Sequence, residues 1–218
     1  MINWKKVIIW IATGSIAIVV ASVSFCILET YYERWRAKQF LEIYTSLKPG
    51  VTTETETRSA LHRFGHGEES TRQGERFSAS QWDENTNQRL VAMGRAYVFN
   101  NRTLRYLRLG VPAEIESILY FRDGILVVKY ANFKQGWGNC CMIIIKEANK
   151  QFEGIPEAEQ NRDGLRISHR WYPDWIYLQV YPDAYEASRK RAYNIDLSCM
   201  TSLHGCKSVE ELLPISAK

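Results

Sequence analysis

The sequence has no CxxC pair, no HExxH, no GxSxG elbow, no GxxxxGK[ST] loop and no GxGxxG fingerprint. These are the spacings that dithiol redox chemistry, zinc hydrolysis, serine acyl transfer and phosphate cradling most often leave in a chain. Histidine is sparse: His62, His66, His169 and His204 are the four present. There is no excess of one charge sign either. Of the net +4, Lys5 and Lys6 supply +2, which leaves 26 basic against 24 acidic side chains beyond them. Nucleic-acid binding needs a clustered basic face, so no nucleic-acid partner is expected. The short run Arg189-Lys190-Arg191 reads as the solvated side of a helix. Internal repeats and low-complexity tracts are absent as well.

What is present begins with an uncharged run of 22 residues, Val7 to Leu28. As a helix it spans about 33 Å, enough for a hydrocarbon core of about 30 Å. Its polar members, Thr13, Ser15, Ser22 and Ser24, carry hydroxyls that can bond back to the helix backbone. Trp4 and Trp10 lie toward one end, and Tyr31, Tyr32 and Trp35 lie just past the other. Amphipathic rings prefer the headgroup zone, so these five are the candidate membrane-interface residues. The chain is therefore divided into an N-terminal tail and anchor, 1–28, and a domain, 29–218. The rival is a cleaved signal peptide ending near Val19-Val20-Ala21, but the run is longer than a usual signal core and its aromatic flank reads as an anchor. Cys26 is no lipidation site, because bulky Phe25 precedes it.

Orientation is settled less by the lysines than by the cysteines. Lys5 and Lys6 favour a cytoplasmic N-terminus, yet Arg34, Arg36 and Lys38 follow the anchor. Beyond the anchor stand Cys140, Cys141, Cys199 and Cys206, an even number that suits an oxidising compartment. Cys199 and Cys206, with six residues between them that include Gly205, are read as a disulfide. Cys140 and Cys141 open a strand and point to opposite faces, one of them suited to burial. A zinc site from these two and His204 is the alternative, and the spacing is poor for it. The domain is thus expected outside the cytoplasm, on the periplasmic or an equivalent side.

Periodicity predicts a helix over Thr30 to Ser46, with Phe40, Leu41, Tyr44 and Leu47 on one face and Pro49-Gly50 as its stop. Thr53 and Glu56 have capping-box spacing, which starts a second helix running to Phe64. Residues 66–89 read as a polar loop in which Phe77 and Trp82 stand out. Strands are expected at Ala96–Phe99, Leu104–Leu109, Ile115–Phe121, Ile125–Tyr130, Cys141–Ile145, Leu165–His169 and Trp175–Tyr181. Asn100-Asn101 and Asp123-Gly124 provide hairpin turns, the latter a strong signal. A helix over Asp183–Ala192 and a helical turn near Val209–Leu213 close the chain. The fold class is α+β: a transmembrane helix, two helices, a mainly antiparallel sheet and a C-terminal helix.

The stretch FLEIYTSLKPGVTTETETRSALHRFG, through Leu47, Lys48, Gly50, Thr52, Leu61 and Gly65, resembles the start of the SmpA/BamE-type outer-membrane-assembly lipoproteins. The resemblance covers about 25 residues and implies a helix–helix–sheet order and a role at the cell envelope. The chain departs from that family in lacking a lipobox cysteine and in its longer sheet and tail.

The remaining candidates have plain readings. His62 and His66, four apart, fit one metal only if the helix continues through Gly65; an exposed helix end accounts for them. His169 sits in a strand beside Arg170 and Trp171. Asn101-Arg102-Thr103 is a glycosylation sequon, and Gly136-Trp137-Gly138 a short loop. Twelve tyrosines and seven tryptophans are many, and rings such as Tyr120, Tyr130, Trp175 and Tyr177 flank strands, where they pack across strand pairs or line a groove. No cofactor is expected. The function read from this is a membrane-tethered, non-catalytic binding or assembly module of the cell envelope. Its partners would be membrane lipid through the anchor and an envelope protein. An envelope hydrolase with dispersed residues and a sensory input domain are the alternatives.

Overall fold

The computed structural model describes residues 4–64, 81–83, 88–99, 103, 113–135, 141–149, 163–169, 175–200 and 205–213. Helix α1 runs unbroken from Trp4 to Ser46, 43 residues. The anchor and the helix expected after it are therefore one element. Nothing in residues 25–40 breaks a helix: no proline and no glycine interrupts the ladder. Apolar side chains from Ile8 to Leu28 lie largely exposed, whereas Ala37, Phe40, Leu41 and Tyr44 are buried. One helix is thus long and apolar enough to cross a membrane, and its last turns belong to the core of the domain.

Lys48-Pro49-Gly50-Val51 turns the chain, with Gly50 at φ +85° and Val51 N–H donating to the Lys48 carbonyl. Proline at the second and glycine at the third position is the chemistry of a type II turn. The next residues pair briefly with a strand: Gly50 N–H donates to Leu126 O, and Leu126 N–H to Thr52 O. Helix α2, Glu54–His62, then starts on the expected capping box, with Thr53 and Glu56 serving each other's backbone amides.

A mixed sheet follows. Its strands are β1 (Gln81–Asp83), β2 (Gln88–Val98), β3 (Ala113–Arg122), β4 (Ile125–Gln135), β5 (Cys141–Ala148), β6 (Leu165–His169) and β7 (Trp175–Val180). Six strands form the body in the order β2-β3-β4-β5-β7-β6, and the three-residue β1 extends the β2 edge. All pairs are antiparallel except β5 with β7. The parallel step arises because β6 forms the edge and β7 returns to lie between it and β5.

The polar loop expected over 66–89 is corrected by β1 and the start of β2, which pair through Trp82 and Arg89. The expected Ala96–Phe99 strand is the end of a longer one. β2 pairs with β3; the hairpin partner expected for it at 104–109 lies outside the described residues, as do Cys140, His66, His204, Gly65, residues 136–138 and Asn101. Asp123 (φ +51°) and Gly124 (φ +76°) make the tight turn that joins β3 to β4.

Between Tyr120 and Phe121 of β3 the register shifts, so that Val127 of β4 is an extra residue. A bulge of this kind resets which face a strand presents. Leu126 and Lys129 both face the helices, and Val127 and Val128 pack with Ala148, Tyr120 and Tyr130 on the other side. The main core lies between the helix-facing side of the sheet and the second half of α1, together with α2, α3 (Glu186–Ala192), α4 (Leu197–Met200) and α5 (Val209–Leu212). Phe40 is at its centre, touching the rings of Tyr44, Phe64, Tyr97 and Phe99.

Candidate functional site

Three arrangements bear on function, and two of them involve α1. The first is a buried ionic latch. Lys129 and Glu147 are register partners on β4 and β5, with Nζ 3.0 Å from Oε2 and both side chains essentially inaccessible. The Lys129 ammonium also donates to the carbonyls of Tyr44 (3.0 Å), in the last turn of α1, and of Leu47 (2.6 Å), the residue just past it. It therefore caps the negative end of the helix dipole. The rings of Tyr44 and Tyr193 lie 5.3 and 4.9 Å from Nζ. Glu147 accepts from Arg189 Nε at 2.8 Å and from Tyr193 O–H at 3.2 Å. Burial lowers the pKa of Lys129, which Glu147 partly offsets. Burial raises the pKa of both Tyr44 and Tyr193. Every charged partner is hydrogen-bonded, the condition under which a buried pair persists. The latch joins α1, two strands and α3. It corrects one expectation: Arg189 is turned inward onto Glu147, so its helix is not a wholly solvated face.

The second is the C-terminal clasp. Cys199 and Cys206 are bonded, as the spacing indicated. Buried Gln135, at the end of β4, donates its amide to Cys199 O and accepts from Cys206 N–H. One side chain thus holds both ends of the loop against the sheet. Cys141 is buried beside it, with Sγ 3.8 Å from Cys206 O. No group of three metal-ligating side chains occurs among the described residues. His62 is exposed at the end of α2.

The third is an open groove of about 820 Å³ between α1 and the α3–α4 segment. Arg34, Lys38, Leu41, Glu42 and Thr45 form the α1 wall, one helical stripe. Lys190, Arg191 and Asn194 through Ser198 form the other wall. Arg34 bridges to Ser198 O, and Arg191 pairs with Asp163. Asp196 accepts from Ser198 N–H, and Glu42 from Gln39. Lys38 and Lys190 are exposed and make no ion pair among the described residues.

The structure places the sequence-derived aromatics in two groups. Trp4 and Trp10 stand exposed on the first turns of α1; Tyr31, Tyr32 and Trp35 stand exposed beyond the apolar run. Trp10 and Tyr31 are separated by about 32 Å of helix, close to the thickness of a hydrocarbon core. Tyr32 stacks on Trp35, and the Arg34 and Arg36 guanidiniums lie over Tyr31 and Tyr32. One residue beyond the apolar run, Glu29 accepts from Thr103 N–H. The domain is therefore in contact with α1 from Glu29 onward. Sequence reasoning missed the latch and the groove. A lysine within LVVKYANF and a glutamate within IIIKEA were the signals available for the former. No family model matches this chain, and neither does a curated protein or a solved structure.

Proposed function

We propose that this chain is a single-pass membrane protein whose domain is a non-catalytic binding or assembly module, held rigidly against the extracytoplasmic face of its membrane. The observation that carries the reading is the continuity of α1. An exposed apolar run passes without a linker into a helix whose last turns are core. A domain built this way works at the membrane surface, since it has no tether along which to travel.

The side of the membrane is read from the Cys199–Cys206 disulfide, which persists in oxidising compartments. Binding is favoured over catalysis by the character of the sites. The ionisable cluster is sealed and consumed in holding α1. The described lining of the open groove consists of cations, carboxylates, hydroxyls and apolar groups. A docked partner, whether lipid or protein, requires such a concavity on a rigid frame.

The test is labelling of intact cells with a membrane-impermeant thiol reagent, with and without prior reduction, together with a photo-crosslinking side chain placed at Lys190 or Thr45, both on the groove wall. The expected result is labelling of Cys199 and Cys206 from outside only after reduction, and discrete crosslinked adducts from the groove. Free thiols reachable only after lysis would place the domain in the cytoplasm and overturn the reading.

A further inference from the structure

We propose that the groove between α1 and the α3–α4 segment is a phosphate-binding site for the headgroup of an anionic phospholipid, with Lys38 and Lys190 as its direct contacts. The inference rests on the membrane reading above and names the ligand of its groove.

Four cations line the groove: Arg34 and Lys38 from α1, Lys190 and Arg191 from the α3 side. Two of them are engaged, Arg34 with a backbone carbonyl and Arg191 with Asp163. The two lysines face the same concavity from different helices without an ion pair among the described residues. The two lining carboxylates are each turned to a donor of their own, Asp196 to Ser198 N–H and Glu42 to Gln39. Those neutral donors leave both carboxylates charged, yet the four cations outnumber Glu42, Asp196 and the Asp163 partner of Arg191, so the lining is net positive, and lysine is a phosphate binder that acts as a point charge.

Position selects the source of the phosphate. Arg34 lies six residues beyond Leu28, about 9 Å along the axis, and Lys38 about 15 Å. A headgroup layer is roughly 5–8 Å deep on each side of the hydrocarbon. The mouth of the groove at Arg34 thus opens at the outer edge of the headgroups, within reach of long basic side chains that extend toward the interface. The Arg34–Ser198 bond holds the opposite wall at the same level. A lipid drawn up from the bilayer meets Arg34 first and the lysines next, whereas a soluble phosphate has no reason to prefer this end.

The test uses the full chain in nanodiscs of phosphatidylcholine, with or without phosphatidylglycerol. Lysine acylation is followed peptide by peptide. With phosphatidylglycerol, Lys38 and Lys190 should react more slowly by about fivefold, the factor expected for one basic group at an anionic surface. Lys48, at the far end of α1, should be unchanged. Native mass spectrometry should show phosphatidylglycerol retained by the wild type and lost, by about fivefold per lysine, from K38Q/K190Q. Equal acylation in both discs overturns the proposal. Protection by inorganic phosphate in phosphatidylcholine discs overturns the lipid as its source. Release of the chain from discs by alkaline carbonate overturns the anchor itself, a failure distinct from either.

Discussion

Lys129 and Glu147 face each other across β4 and β5, 3.0 Å apart, and the lysine spends its other two protons on the end of α1. The pair ties the end of α1 to the sheet. Lys129→Met removes the ammonium and leaves Tyr44 O, Leu47 O and the Glu147 carboxylate short of a donor. Breaking a buried pair from one side costs about 3–5 kcal/mol. The expected outcome is a fall of that size in unfolding free energy by denaturant titration of the detergent-solubilised chain. A loss below about 1 kcal/mol would show that the latch is incidental.

The same cluster sets an alkaline limit. Tyr44 and Tyr193 have folded-state pKa values raised above 10.0 by burial. A raised folded pKa contributes stability that is complete below the unfolded value and is lost as pH rises toward the folded one. Lys129 acts in the opposite sense. Its lowered pKa makes stability rise with pH, and that rise ends at 10.5, where the unfolded lysine has also lost its proton. Above about pH 10.5 the tyrosines alone remain, and stability should fall. Replacing Tyr44 with Phe should flatten that fall, as read from thermal midpoints between pH 9 and 12. An unchanged slope in the variant would remove Tyr44 from the account.

Reduction of Cys199–Cys206 releases a loop of eight residues, counted from a sequence separation of 7. Chain-entropy arithmetic for that length gives about 2.5 kcal/mol. The C199S/C206S variant should lose roughly that much while α1 and the sheet persist. Gln135→Ala strands the buried Cys206 N–H that Gln135 now serves, at about 1–3 kcal/mol. Circular dichroism and denaturant midpoints check both: each variant should keep native helix content and unfold earlier, and an unchanged midpoint in either would remove that contact from the account.

Gly164 sits at φ +69°, and a Cβ there would come within 2.4 Å of the Ala184 backbone. Gly164→Ala combines a left-handed penalty of about 1–2 kcal/mol with a collision that neither backbone can relieve cheaply. A loss of at least about 2 kcal/mol is expected, with β6 and the approach to α3 loosening first by hydrogen exchange. Tolerance of alanine would mean that this junction is open in solution.

The local chemistry of the fold was legible in the sequence, and the long-range chemistry was not. Thr53–Glu56, Pro49-Gly50 and Asp123-Gly124 each act within a few residues, so a capping box and two turns were readable where they stand. The long apolar helix was readable because an uncharged run of 22 residues shows itself without any long-range partner. The joining of anchor and following helix was missed because belt aromatics and charges imitate a boundary while the backbone ignores it. The parallel β5–β7 step was missed because crossing order leaves no trace in strand periodicity. The Val127 bulge, which turns Lys129 toward α1, depends on register with β3. The groove gathers residues 38 and 190 onto one concavity, an arrangement that only the assembled core defines.

On the membrane reading proposed above, the unbroken passage of α1 into the core has a consequence for how the domain would stand over a bilayer. Membrane helices tilt by about 20° on average and adjust that tilt to the thickness of the hydrocarbon layer. With no hinge between Leu28 and Ala37, every degree of anchor tilt is a degree of domain inclination. A thinner bilayer would lean the groove toward one side of the lipid plane, and a thicker one would lift it upright. The domain would then present its binding face at an angle set by the membrane it stands in.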